Sequence, residues 1–388
     1  MQTAAAPIPT PDARLHSLDA LRGFDMFWLL GGQQIIRALC AGAATGTFAH
    51  SLNQQFTHVA WEGFRFYDFI FPLFQFLIGV AIPLAIGKRL AQGRSRAGIL
   101  RHAFVRLGGM VVIGFFIHGN LQSWNVEQMR LSYSVLQMLG LGYVIGVGCV
   151  LFLSLRGQIA ATAVFLVGYW ALQMFVPVPG HEWGVFQPGG ILGDWLHDNS
   201  IGLLGKPWAS HWGRGFPYLP MWTHGATTML GAFGAYIVTG QWPRGTRISL
   251  SDAQKLRWLL ALGAGCLLAG WLWSFHLPIV KNRWTSTYAL WCGGLSYLLL
   301  AGFWWTIDVK GWRRGLGLWA AIGCNSILAY AMSSLLMGGF GEIARVFLGG
   351  LQLHVSEYWH KVILVLAQFG LAWAVLIHLR RHRIFLRL

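Results

Sequence analysis

The stretch His58-Val-Ala-Trp-Glu-Gly-Phe-Arg-Phe-Tyr-Asp-Phe-Ile-Phe-Pro-Leu-Phe-Gln-Phe-Leu-Ile-Gly-Val-Ala-Ile-Pro-Leu-Ala-Ile86 decides the fold class. Its second half is apolar for about the length of one bilayer crossing, and its first half carries an imidazole, two carboxylates and a guanidinium. Working outward, comparable apolar runs lie near residues 24–40, 103–119, 134–154, 158–176, 222–239, 257–275, 286–307, 317–337 and 359–379. With 66–87 these predict about ten membrane-crossing helices in one all-α bundle spanning residues 1–388. The run 24–40 is the weakest, interrupted by Asp25, Gln33, Gln34 and Arg37. The stretch 338–350 is short and glycine-rich, as in a re-entrant or interfacial piece.

Composition agrees. Of 388 residues, 55% are hydrophobic and 11% charged, with mean hydropathy +0.52, against about 25% charged in a soluble chain. A secreted disulfide scaffold, a disordered chain and an ordinary soluble enzyme are excluded. The net charge of +16 would raise nucleic-acid binding in a soluble protein, but its placement argues otherwise. Threading the runs with the N-terminus in the cytoplasm puts most Lys and Arg on the cytoplasmic side, including Arg22, Lys88, Arg89, Arg94, Arg101, Arg106, Lys310 and Arg380. The positive-inside rule then sets both termini in the cytoplasm and accounts for the charge without nucleic acid. Residues 1–14 lack the apolar core of a cleavable signal, so the first span is expected to insert uncleaved. The longest connection, 177–221, falls outside. The five cysteines show no metal or disulfide spacing and read as small buried hydrophobes, with no metal expected.

Ionisable groups within spans are costly and point to function. Read as a continuous helix at about 100° per residue, His58, Trp61, Glu62, Arg65 and Asp68 fall within a sector of roughly 120°. A histidine there can act as a general base once a carboxylate fixes its tautomer. The plainer reading is an interfacial Glu62–Arg65 ion pair beside a solvated histidine. At the first span, Ser17 suits an N-cap and Asp19 the positive helix start. Arg22 stands at headgroup level, where it anchors the helix or meets phosphate, and Asp25, Gln33 and Arg37 are expected to face the bundle interior. Trp183, Trp195, Trp208, His211 and Trp212 in the long loop, with Trp222 and His224 after it, suit either a sugar-stacking platform or an aromatic belt.

Several segments together resemble the heparan-alpha-glucosaminide N-acetyltransferase family, most of all its bacterial NagX-like branch. They are RLHSLDALRGFDMFWLLGGQQ (14–34), the 58–86 stretch, SYSVLQMLGLGYVIG (132–146), LPIVKNRWTSTYAL (277–290), DVKGWRR (308–314), GCNSILAYAMS (323–333) and RRHRIFLRL (380–388), in family order. The resemblance implies a multi-pass protein of the bacterial inner membrane. It would move an acetyl group from cytosolic acetyl-CoA to an amino sugar or glycan on the outer side, with a homodimer compatible with that reading. It places the essential histidine at His58 and implies Asp68, Glu62 and Asn325 as catalytic partners. Trp61, Arg65, Lys281, Asn282 and Trp284 would bind the acceptor, and Arg22, Asp25, Gln33, Arg101 and Arg106 the donor. Direct transfer and an acetyl-histidine intermediate both fit. Two features depart from the family: its Asp-Pro-Glu-Gly slot reads Arg214-Gly215-Phe216-Pro217, with Asp194 or Asp198 as substitute carboxylates, and Gln33 stands where the heparan enzyme has Asn. The alternative is a transporter for an amino sugar or small glycan.

Overall fold

The computed structural model describes residues 15–118, 134–182, 184–200, 218–243, 246 and 248–386. All regular elements among them are helical, and an isolated β-bridge pairs Glu62 with Val280. Helices are the economical answer in lipid, where every backbone N–H and C=O needs a partner within its own segment.

The chain forms α1 (His16–Phe27), a π turn (Trp28–Gly32), α2 (Gln33–Leu39) and α3 (Phe48–Gln55). There follow α4 (Phe66–Ala91), α5 (Arg96–His118), α6 (Val135–Phe152), α7 (Leu155–Phe175), α8 (Leu192–Ser200), α9 (Pro220–Thr239) and α10 (Asp252–Ser274). The last are α11 (Ser286–Phe303, prolonged by a π turn Trp304–Val309), α12 (Leu316–Gly323), α13 (Ser326–Leu335), α14 (Met337–Leu348) and α15 (Glu357–Arg381). Side-chain caps start several of them. Ser251 and Gln254 close a reciprocal capping box at α10, and Ser154, Thr285 and Ser356 accept the backbone N–H groups of α7, α11 and α15, each cap being worth about 1 kcal/mol.

Among the described residues, seven helices are long and apolar enough to cross a membrane, or eight if the bent pair Ser326–Leu335 and Met337–Leu353 counts as one span. This is fewer than the ten expected, for local reasons. The run 24–40 is broken at the π turn, where Gly31 takes φ 153. The run 317–337 is divided at Asn325 (φ −123, ψ 41), and the short stretch after it bends away from α13 by 65°. In α9, Thr223, His224, Thr227 and Thr228 lower the hydropathy, and all four are buried inside the protein.

Helix α4 is the axis of the bundle. Two thirds of its most apolar window (67%) is buried, against 17% for α10 and α15 and 22% for α5, which turn broad faces outward. Helices α6, α9 and α11 pack around it. The α4–α9 crossing is a backbone-to-backbone contact: a Cβ on Gly79 would lie 1.9 Å from the Thr228 carbonyl oxygen, and one on Gly231 2.0 Å from that of Phe76. Small residues permit such approaches between helices in membranes. At one end of this axis three connections converge, because Glu62 bridges Val280, the Asn282 amide donates to the Ala60 carbonyl (3.2 Å), and Trp61 packs on Phe186.

Candidate functional site

The residues from His58 to Arg65 form an extended loop and not the first turns of a helix; α4 begins at Phe66. The shared helical face expected for His58, Trp61, Glu62, Arg65 and Asp68 is therefore absent. The reason lies in the loop's other partners: Gly63 N–H donates to the Ile279 carbonyl (2.9 Å), and Glu62 pairs with Val280, so the backbone is spent on the 276–285 connection. Gly63 itself takes φ 117, which bends the chain back at little cost for a residue without Cβ. His58 and Asp68 meet by this reversal.

His58 Nδ1 lies 2.7 Å from Asp68 Oδ1. The Lys281 ammonium lies 3.1 Å from the same oxygen, 2.7 Å from His58 Nδ1 and 3.1 Å from Nε2. Asp68 Oδ2 accepts the Arg65 backbone N–H (3.1 Å), closing the first turn of α4, and the Tyr288 hydroxyl donates to the Asp68 carbonyl (2.6 Å). Exposure is graded along the cluster. The Asp68 side chain is 0% exposed, that of Lys281 18% and that of His58 51%. A carboxylate removed from water survives only when paired and hydrogen-bonded, and here three donors surround it. With Asp68 ionised, Nδ1–H donates to Oδ1 and leaves Nε2 as the acceptor nitrogen, 3.1 Å from the Lys281 ammonium. Tyr67 stacks on the imidazole at 4.9 Å and 27°. Arg65 donates to the His58 carbonyl (3.1 Å) and to the Thr57 hydroxyl, clamping the histidine's own backbone. The result is a base oriented by a buried carboxylate, with a cation beside it, at one mouth of a membrane bundle.

The other named residues separate into groups. Glu62 is exposed and enters through its backbone alone. Asn282 ties the 276–285 connection to Ala60. Trp284 is not at the surface. It is 3% exposed, takes φ 48, stacks on His224 at 3.7 Å and donates its indole N–H to the Thr227 hydroxyl (3.1 Å). Trp61 faces Arg283, whose guanidinium lies 5.6 Å from the ring and 2.6 Å from Asp194 Oδ1. Asp194, one proposed substitute carboxylate, is thus neutralised. The side chain of Asp198, together with Trp183, Trp208, His211, Trp212 and the 214–217 slot, lies outside the described residues, while Trp222 packs against Phe165 within the bundle.

Asn325 stands apart from His58. Its Nδ2 donates to the Ile384 carbonyl (3.0 Å) and its Oδ1 accepts the Leu386 N–H (3.1 Å), so both ends of the amide hold the C-terminal segment. Arg22 lies 4.0 Å from Asp19 on α1. Arg101 is exposed on α5, whereas Arg106 donates to the Tyr143 hydroxyl (3.3 Å) and covers its ring. Gln33 is half-buried after the π turn, and Asp25 is wholly buried.

Sequence reading gave no role to Gln75 and grouped His224 with the outer aromatic residues, whereas the structure buries His224 against Trp284. Both are buried; His224 Nδ1 lies 3.4 Å from Gln75 Oε1, and Gln75 donates to the Thr228 hydroxyl (2.7 Å). The available signal was polar residues inside two apolar runs. Their pairing across more than a hundred residues had none.

No family model matches the chain. It is 26% identical over 377 residues to heparan-alpha-glucosaminide N-acetyltransferase of Mus musculus, covering 85% of this chain and 56% of that protein. Against the Homo sapiens protein of the same name it is 26% identical over 322 residues, covering 71% and 48%. The chain thus spans about half the length of the curated relatives it matches, and its relation to N-acetyltransferases is distant.

Proposed function

We propose that this chain is a transmembrane acetyltransferase that takes an acetyl group from cytosolic acetyl-CoA and passes it to the amine of an amino sugar, free or in a glycan, on the other side of the membrane. The observation that carries the reading is the His58–Asp68–Lys281 cluster, with Nδ1 2.7 Å from the carboxylate and the ammonium 3.1 Å from it. The distant relation to N-acetyltransferases supplies the reaction class. The excess of Lys and Arg toward one side supports the orientation, with His58 at the outer mouth of a bacterial inner membrane.

In this mechanism His58 Nε2 takes a proton from the acceptor amine as its nitrogen attacks the thioester carbonyl carbon. Asp68 holds the imidazole in the productive tautomer. The Lys281 ammonium faces the oxyanion of the tetrahedral intermediate, charge stabilisation that acts where charge develops. The C–S bond then breaks, and the imidazolium returns the proton to the leaving thiolate. Arg22, Arg101 and Arg106 provide cations for the CoA phosphates.

Binding of CoA to the purified protein tests the reading. Micromolar or tighter binding is expected, weakened when Arg101 and Arg106 are both replaced by Gln. A folded protein that does not bind CoA would overturn it in favour of a transporter for an amino sugar or small glycan.

A further inference from the structure

Helix α1 and the π turn after it carry a pair of polar groups that the mechanism above does not use. Asp25 is 0% exposed, and neither carboxyl oxygen has a hydrogen-bond partner among the described residues. The indole Nε1–H of Trp28 is likewise buried without a partner. Residues three apart on a helix are neighbours on one face. An acceptor and a donor therefore stand one turn apart without bonding each other. Unsatisfied buried polar groups are uncommon and expensive, and an ionisable one within a span points to a site. The backbone is irregular at the same place: α1 ends at Phe27 and gives way to the π turn Trp28–Gly32, with Gly31 at φ 153. Such π segments cluster at functional sites.

The pair lies close to the His58 cluster. The Trp28 ring meets Phe66 edge-on at 5.1 Å, and Phe66 opens α4. The next residue, Tyr67, stacks on His58.

We propose that Asp25 and Trp28 form a binding site for a secondary amide, the carbonyl oxygen of the Asp25 carboxyl group accepting its N–H and the indole N–H donating to its C=O. A trans amide carries these two groups on opposite edges, so it bridges partners that border a common gap. The inference rests on the donor reading above. In CoA a secondary amide lies two methylenes from the sulfur. Seating that amide on Asp25 and Trp28 brings the thioester to Tyr67 and His58, from within the bundle and not from the outer water. The ligand class is an acyl thioester whose arm carries an amide next to the sulfur.

Equilibrium binding to the detergent-solubilised full-length protein is the test, with CoA and with phosphoadenosine diphosphate, the amide-free nucleotide half of CoA, as probes. Asp25→Leu and Trp28→Phe should each weaken CoA binding by about tenfold or more, the loss of one buried hydrogen bond. Binding of the nucleotide half should be unchanged. Asp25→Asn, which keeps an acceptor oxygen, should lose less than Asp25→Leu. Parental affinity for CoA in both Asp25→Leu and Trp28→Phe would overturn the amide site while leaving the donor reading intact. Equal losses for both probes would make the pair structural and also overturn it. Absence of CoA binding by the folded parent would remove both readings together. Should Asp25→Leu fail to fold, Trp28→Phe decides alone.

Discussion

His58 owes its chemical character to the residues that hold its ring. An imidazole half in water is an ordinary weak base; what distinguishes this one is a carboxylate with no exposed side-chain surface at 2.7 Å from Nδ1. Loss of a general base typically costs about 10²–10⁴ in rate. His58→Ala is accordingly expected to abolish acetyl transfer, measured as acetylated amino sugar formed from acetyl-CoA, while CoA binding persists. Asp68→Asn keeps the shape but not the charge, so it should retain more activity than His58→Ala. His354→Ala, at an exposed histidine in a connection after α14, is the control and should leave turnover unaltered. If His58→Ala keeps more than about a tenth of parental turnover, His58 is not the base. Lys281 answers a separate question. Lys281→Met removes the cation beside Asp68, and its expected signature is a fall in kcat with little change in the KM for acetyl-CoA, because the charge it meets is that of the transition state.

The helices are held by close approach as much as by apolar area, and α4 against α9 is the clearest case. Gly79 and Gly231 each face a backbone carbonyl at a distance no Cβ can occupy. Gly79→Leu must push two backbones apart. Overpacking of this kind costs about 1–3 kcal/mol or more, and the melting temperature in detergent should fall by several degrees. Gly265→Leu on α10, where an added Cβ meets nothing within 4 Å, should melt like the parent. Parental stability in Gly79→Leu would show that the crossing is looser than the structure has it. The same crossing carries the Gln75–Thr228 hydrogen bond, so loosening it would also disturb the support beneath Trp284.

For the molecule as a whole, the decisive property is sidedness. The proposed reaction draws its donor from one side and its acceptor from the other, so the turn between α4 and α5 and the loop before α8 must face opposite compartments. Both sites are exposed at Arg94 and Gln187. In a background with the five cysteines replaced, Arg94→Cys should react with an impermeant maleimide only when the cytoplasmic face is opened, and Gln187→Cys in intact cells. Labelling of Arg94→Cys from outside would overturn the orientation and, with it, the assignment of His58 to the acceptor's side.

Much of this was readable along the chain. Apolar runs of span length and the scarcity of charge sufficed for a helical membrane bundle, because that inference needs only local composition. The same holds for His58 and Asp68 as candidates, since an ionisable group beside a span is conspicuous in one dimension, whereas Lys281 was singled out only by the family resemblance, and as an acceptor contact. The sequence did not contain their geometry. Periodicity placed His58 and Asp68 on one helical face, yet they meet through a chain reversal enforced by the 276–285 connection, which lies more than two hundred residues away. Trp284 looks like a surface aromatic in its motif and is a core residue stacked on His224. Asn325 looks like a site residue and fastens the C-terminal segment. Among the described residues fewer than ten helices have the length and hydropathy of a span, because a π turn, a buried threonine-rich face and a 65° bend interrupt three of the apolar runs. Hydropathy is a sum over neighbours in sequence and survives without a fold. Hydrogen bonds are pairings of specific atoms across the bundle, and those exist only once the helices have packed.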